Sequence, residues 1–122
     1  MIYLLDTNTC IQYITGRSPK VLARLQQQQP QDVLVCSVVK GELFYGAMRS
    51  TDPTTTLAKQ HRFLRAYASV PFDDRAAVEY GRIRADLQGK GTPIGPNDLM
   101  IAAIAVAHAL ILVTHNRGTK AI

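Results

Sequence analysis

Cysteine is scarce in this chain of 122 residues, which has only Cys10 and Cys36. Both sit among apolar neighbours, Cys36 within VLVCSVV, and read as small buried hydrophobes of a reducing compartment rather than a disulfide frame. MIYLLDTN also lacks a basic segment ahead of its apolar residues and meets an acid at position 6, so it is not expected to be a signal peptide. No apolar run reaches the ~18 residues of a membrane-span candidate. The longest, residues 99–113, has fifteen residues with His108 as its one interruption. A cytoplasmic protein without a membrane partner is expected. Acids are in short supply as well, with nine against fourteen Lys and Arg, leaving a net charge of +5. That balance favours polyanionic partners, nucleic acid first. Nine arginines against five lysines suit phosphate forks better than point charges.

The rest is ordinary for a globular chain, with 47% apolar and 19% charged residues and enough length for one domain around one core. IYLL reads as a buried strand ending at Asp6, and Thr7 or Asn8 as the cap of a helix over 8–15 that stops near Gly16. Ser18 and Pro19 open a second helix that ends by Pro30. DVLVC reads as the next strand, with Ser37 capping the helix VVKGELFYGAMRS. Asp52 and Pro53 start a longer amphipathic helix through TTTLAKQHRFLRAYAS, VPF is a short strand, and Asp73 with Asp74 caps RAAVEYGRIRADLQGK. Pro96 opens the apolar helix 97–108, and LILVT closes as a strand. Uninterrupted apolar strands alternating with helices predict an α/β fold with a parallel sheet covered on both faces.

Six of the nine carboxylates have simple roles in such a fold. Asp52, Asp73 and Asp74 precede helices, Asp32 sits in a turn, and Glu79 and Asp86 lie among arginines on a helix surface. Asp6, Glu42 and Asp98 remain. Asp6 stands at the C-terminal end of the first strand, the edge where ligands bind in open α/β sheets. Glu42 and Asp98 lie in early turns of helices whose apolar neighbours turn them toward the sheet. Asn116, after the last strand, emerges at the same edge. For each acid taken singly, capping or a local salt bridge is an open alternative. Together, oxygen donors without a thiolate or imidazole cluster suit Mg²⁺ or Mn²⁺, ions that polarise a phosphodiester and activate water.

YLLDTN, then SVVKGELFYGA from Ser37 to Ala47, then GTPIGPNDLMIAAIAVAHALILVTHN from Gly91 to Asn116, in this order, resemble the PIN-domain family, most closely the VapC-type toxins of bacterial toxin–antitoxin pairs. The resemblance spans nearly the whole chain and implies a three-layer α/β/α sandwich that gathers acids around Mg²⁺ or Mn²⁺ and cleaves RNA. It makes Asp6, Glu42 and Asp98 metal ligands and Asn116 a weaker neutral ligand or water positioner. Thr7, Asn8, Ser37 and Thr114 match positions that orient the ligands by hydrogen bonds. An RNA substrate, a small antitoxin encoded nearby and a homodimer are implied as partners. Relatives continue past THN with an acidic-aromatic stretch, a strand and a tail. This chain ends RGTKAI without a strand pattern, which reads as a truncated or frameshifted member.

The remaining chemistry-bearing side chains have plainer readings. His61 lies in a basic helix, His108 at a helix end and His115 beside Asn116, and the family chemistry needs none of them. Arg75, Arg82, Arg84 and Lys90 are candidate RNA-phosphate contacts, with a solvated helix face paired to Glu79 and Asp86 as the alternative. Tyr13, Phe44 and Tyr45 read as core or dimer contacts rather than base-stacking platforms. Two functions follow from different classes. The first is a metal-dependent endoribonuclease toxin of a type II pair; the second is a catalytically impaired PIN-like module that docks an antitoxin or partner subunit.

Overall fold

A computed structural model describes residues 1–92 and 94–114. Four strands, β1 (Tyr3–Leu5), β2 (Val33–Cys36), β3 (Ala68–Val70) and β4 (Ile111–Val113), form one sheet in the order β3-β2-β1-β4. Every pairing is parallel, with Leu4 of β1 opposite both Leu34 and Leu112. All four strands therefore end at the same edge.

Six helices connect them: α1 (Thr7–Thr15), α2 (Pro19–Gln26), α3 (Ser37–Met48), α4 (Pro53–Leu64), α5 (Asp74–Gly89) and α6 (Pro96–Ala107). The chain steps from β1 to β2 to β3 in one direction across the sheet, then returns to β4 past β1. Right-handed crossovers accordingly set α1–α4 on one face and α5–α6 on the other, giving the three-layer α/β/α arrangement. The packing pairs agree, α1 meeting α2, α3 and α4, and α5 lying along α6. Helix α3 also meets α6, which brings the two acid-bearing helices together.

Alternation along the strands fills both layers. Leu4, Val35, Cys36 and Val39 are fully buried in one cluster with Cys10, Leu43, Phe63, Ile101 and Ile104. Helix α6 is apolar because it lies between the sheet and α5, where Leu99 and Ala103 pack on Ile83 in a second cluster. Among the described residues, no helix is long and apolar enough to cross a membrane.

Local signals fix most boundaries. Ser18 caps α2 by accepting from the Val21 N–H at 3.2 Å, with Pro19 at its start, as the sequence predicts. Asp52 and Asp73 cap α4 and α5. Helix α1 is capped by Asp6 itself rather than by Thr7 or Asn8, so both of those lie inside its first turn. Ser37 does not cap α3 either; it is the first helical residue, and Cys36 holds the cap position. The third strand falls on Ala68–Val70, two residues before the expected VPF, so α4 stops at Leu64. At the end of α6 Ala109 adopts a left-handed φ of 54°, and the Leu110 N–H reaches back to the Ala105 carbonyl at 2.8 Å. This closure turns the chain directly into β4.

Candidate active site

The site grows from the strand edge. The N–H of Asp6 donates to the Val113 carbonyl at 3.1 Å, which continues the β1–β4 ladder and fixes the Asp6 backbone. Its backbone is still extended, and its Oδ1 accepts from the Thr9 N–H at 2.8 Å. One carboxylate thus ends a strand and starts a helix. At 5% exposure Asp6 is buried, a costly place for a charge without donors, and the helix N-terminus supplies them. Thr9, 3% exposed, also sends its hydroxyl to the Val113 carbonyl at 3.3 Å, locking α1 onto β4.

Glu42 projects from the second turn of α3. Its Oε1 accepts from the Thr7 hydroxyl at 2.5 Å and its Oε2 from the Asn97 side-chain amide at 3.1 Å. Asp98 lies in the first turn of α6 but does not cap it, the cap position being Gly95. Its carboxyl is pushed above the ordinary carboxylate value by burial first, then by the charges of Glu42 and Asp6. Asp98 therefore feels the charges of acids carried by two other elements. Among the described residues, however, no three His, Cys, Asp or Glu side chains are gathered tightly enough to hold an ion between them. The acids share a field rather than a closed shell.

The expected neighbours divide. Thr7 is in the site, on Glu42. Asn8 is half-buried in the first turn of α1, Ser37 is exposed at the start of α3, and Thr114 is exposed just past β4. Asn116 and His115 lie outside the described residues. Thr9 and Asn97 were not anticipated. Thr9 had a legible signal, since it stands three residues after Asp6, where a cap finds its partner N–H. Asn97 had none beyond its place next to Asp98.

The candidate phosphate contacts are locally engaged. Arg82 pairs with Glu79, Lys90 with Asp86 at 3.1 Å, Arg84 donates to the Tyr80 hydroxyl at 3.3 Å, and Arg75 reaches the Ala107 carbonyl at 2.7 Å. His108 bonds Asp73 at 3.0 Å, away from the acids. His61 stacks against Phe44 with ring centroids 5.2 Å apart. The thiols of Cys10 and Cys36 are both pushed up by burial, with Asp6 and Glu42 adding to it respectively, so neither is a nucleophile. A cleft of about 270 Å³ lies between α2 and the sheet, among Tyr3, Leu5, Val21, Leu25 and Val33. None of the three acids is among its described lining residues.

A parallel sheet between two helical layers, with acids at its strand-end edge, defines a class, and comparison gives that class its name. The PIN domain family model matches residues 3–122, and the chain belongs to the PIN-domain family. Among its relatives, the tRNA(fMet)-specific endonuclease VapC of Salmonella typhimurium is 38% identical over 114 residues, covering 93% of this chain and 86% of that protein. Ribonuclease VapC2 of Rickettsia felis is 34% identical over 117 residues, 95% of this chain and 87% of its own length. Among solved structures, VapBC2 from Rickettsia felis bound to a promoter DNA fragment superposes with a TM-score of 0.89 at 33% identity, over 95% of this chain and 88% of that one. DNA-bound VapBC from Salmonella typhimurium gives the same TM-score, 0.89, at 37% identity over 97% and 89%.

Proposed function

We propose that this chain is an endoribonuclease toxin of a type II toxin–antitoxin pair and that it requires Mg²⁺ or Mn²⁺. The observation that carries this reading is electrostatic. Burial first, and then the charges of Glu42 and Asp6, make Asp98 hold its proton more tightly; the second part is an excess of negative charge at one sheet edge that a divalent cation relieves. The donor set is all oxygen, with carboxylates from Asp6, Glu42 and Asp98 and neutral donors beside them, which fits a hard cation and not zinc. Bound there, such an ion would polarise a phosphodiester and lower the pKa of water. The chain's own residues do the rest. Thr9 holds Asp6 in place, Thr7 and Asn97 hold Glu42, and α6 presents Asp98 at its positive end.

The relatives named as nucleases support the activity, and the Salmonella relative named for tRNA(fMet) makes a structured tRNA the substrate to try first. The VapBC complexes support a small antitoxin as partner. A homodimer belongs to the same proposal, supported by Tyr45 and Met48, which stand 64% and 56% exposed one turn apart on α3. Induced expression tests the whole reading. Growth arrest with new RNA ends in the arrested cells, absent for Glu42→Gln, is the expected result; arrest by both chains alike contradicts it.

The open arrangement of the acids favours a second reading, a catalytically impaired PIN-like module that docks an antitoxin. It requires antitoxin binding to persist, with unchanged biological effect, when Asp6 and Asp98 are both replaced by asparagine.

A further inference from the structure

Glu42 is the middle acid, and both of its oxygens are held. Thr7, which grips Oε1, directly follows Asp6, and Asn97, which grips Oε2, directly precedes Asp98. Each outer acid is thus the chain neighbour of one donor on the middle one. A single carboxylate ties α1, α3 and α6 together at the strand edge.

Glu42 needs this restraint. It is half-buried, and it has a long side chain with freedom to lose. Unheld, such a glutamate turns toward water and away from its neighbours. Asn97 is otherwise hard to account for. It is exposed, it lies in the first turn of a helix whose cap position is Gly95, and it packs in neither apolar cluster. Neither capping nor burial explains why its amide crosses to α3.

We propose that Asn97 is a positioning residue for Glu42: its carboxamide, opposite the Thr7 hydroxyl, keeps the carboxylate at the edge between Asp6 and Asp98, so that a divalent cation meets a preset acid. The role rests on the metal-dependent reading above. The chemistry of the amide suits it. A lysine here would neutralise the charge the cation requires, and an aspartate would add a fourth negative charge and remove the donor. An uncharged donor orients without competing.

The test is Mn²⁺ binding to the full chain without RNA, followed by the electron paramagnetic resonance signal of free Mn²⁺. Asn97→Ala should weaken binding about 10–100-fold, the usual cost of removing an orienting partner, and Asn97→Asp at least as much. Because Asn97 is exposed, both variants should fold, which a thermal melt verifies. In a Glu42→Ala background, Asn97→Ala should change affinity by no more than about twofold, since the amide then has nothing to hold. Wild-type affinity in Asn97→Ala, or a full additional loss on top of Glu42→Ala, overturns the proposal. Asp98→Asn separates this from failure of the wider reading. Mn²⁺ binding lost in Asp98→Asn but kept in Asn97→Ala removes only the role of Asn97. Wild-type protein that binds no Mn²⁺, or Asp98→Asn that binds it equally well, removes the metal reading and this role with it.

Discussion

The hydroxyl of Thr7 donates to Oε1 of Glu42 at 2.5 Å, joining the first turn of α1 to the second turn of α3. A hydrogen bond to an ionised group fixes its direction more than it stabilises the fold when that group is half in water. Thr7→Val should therefore lower RNA cleavage about 10–100-fold while changing stability by less than about 1 kcal/mol. Thr7→Ser, which keeps the hydroxyl, should retain most of the activity. Cleavage rates beside urea midpoints for the two variants check this, and activity kept in Thr7→Val but lost in Thr7→Ser would show that the methyl, not the hydroxyl, matters.

Asp6 has two roles that one substitution can separate. It ends β1 as an acid and caps α1 through the Thr9 N–H. Asn preserves a cap oxygen and removes the charge, whereas Ala removes both. Asp6→Asn should abolish cleavage with stability nearly unchanged, and Asp6→Ala should abolish cleavage and lose about 1 kcal/mol as well. Cleavage surviving in Asp6→Asn would make Asp6 a cap and nothing more.

Asp98 is held at a cost in the metal-free protein. Burial, then Glu42 and Asp6, raise its carboxyl pKa in the folded state. A raised carboxyl means that the folded chain binds the proton more tightly than the unfolded one. Stability is therefore lost as pH rises through the carboxylate range, with the full cost present at neutral pH. Asp98→Asn should therefore raise the metal-free Tm at neutral pH. The difference should close as pH falls below about 4. Millimolar Mn²⁺ should raise the wild-type Tm and leave that of the variant unchanged. Calorimetry with and without EDTA measures both effects.

Asp73 provides the opposite sign, far from the chemistry. The Ala76 N–H at 2.9 Å, then the nearby His108, lower its carboxyl below the ordinary value of 3.8. Its contribution is present above that value and is lost as pH falls through the lowered one. Asp73→Ala should melt several degrees lower at neutral pH, with the gap closing in acid, yet cleave RNA like wild type well below its melting point. A loss of cleavage in the folded variant would tie the α5–α6 end to the site.

Much of this was legible in residue order. Apolar strands, each followed by a helix, determine a parallel sheet, and the parallel sheet puts Asp6 on the edge shared with the helices of Glu42 and Asp98. Prolines and short polar caps marked α2, α4 and α5 because their chemistry is local. The misses share a cause. Whether Asp6 or Thr7 caps α1 depends on where β1 lets go, and the Val113 carbonyl on another strand decides that. The third strand slid to Ala68–Val70 because pairing with Leu34–Cys36 outweighs the helical period of the residues before it. Asn97 could not be assigned a partner from the sequence. Its bond to Glu42 spans 55 residues and exists only because α3 and α6 meet.

The most direct measurement incubates the purified protein with total RNA and Mn²⁺, beside Asp98→Asn and an EDTA control. Total RNA leaves the substrate to the enzyme's choice. Discrete fragments from the wild type in Mn²⁺, and none in either control, are the result predicted by a metal-dependent nuclease that uses Asp98. Fragments of the same sizes from folded Asp98→Asn, or in EDTA, would contradict it.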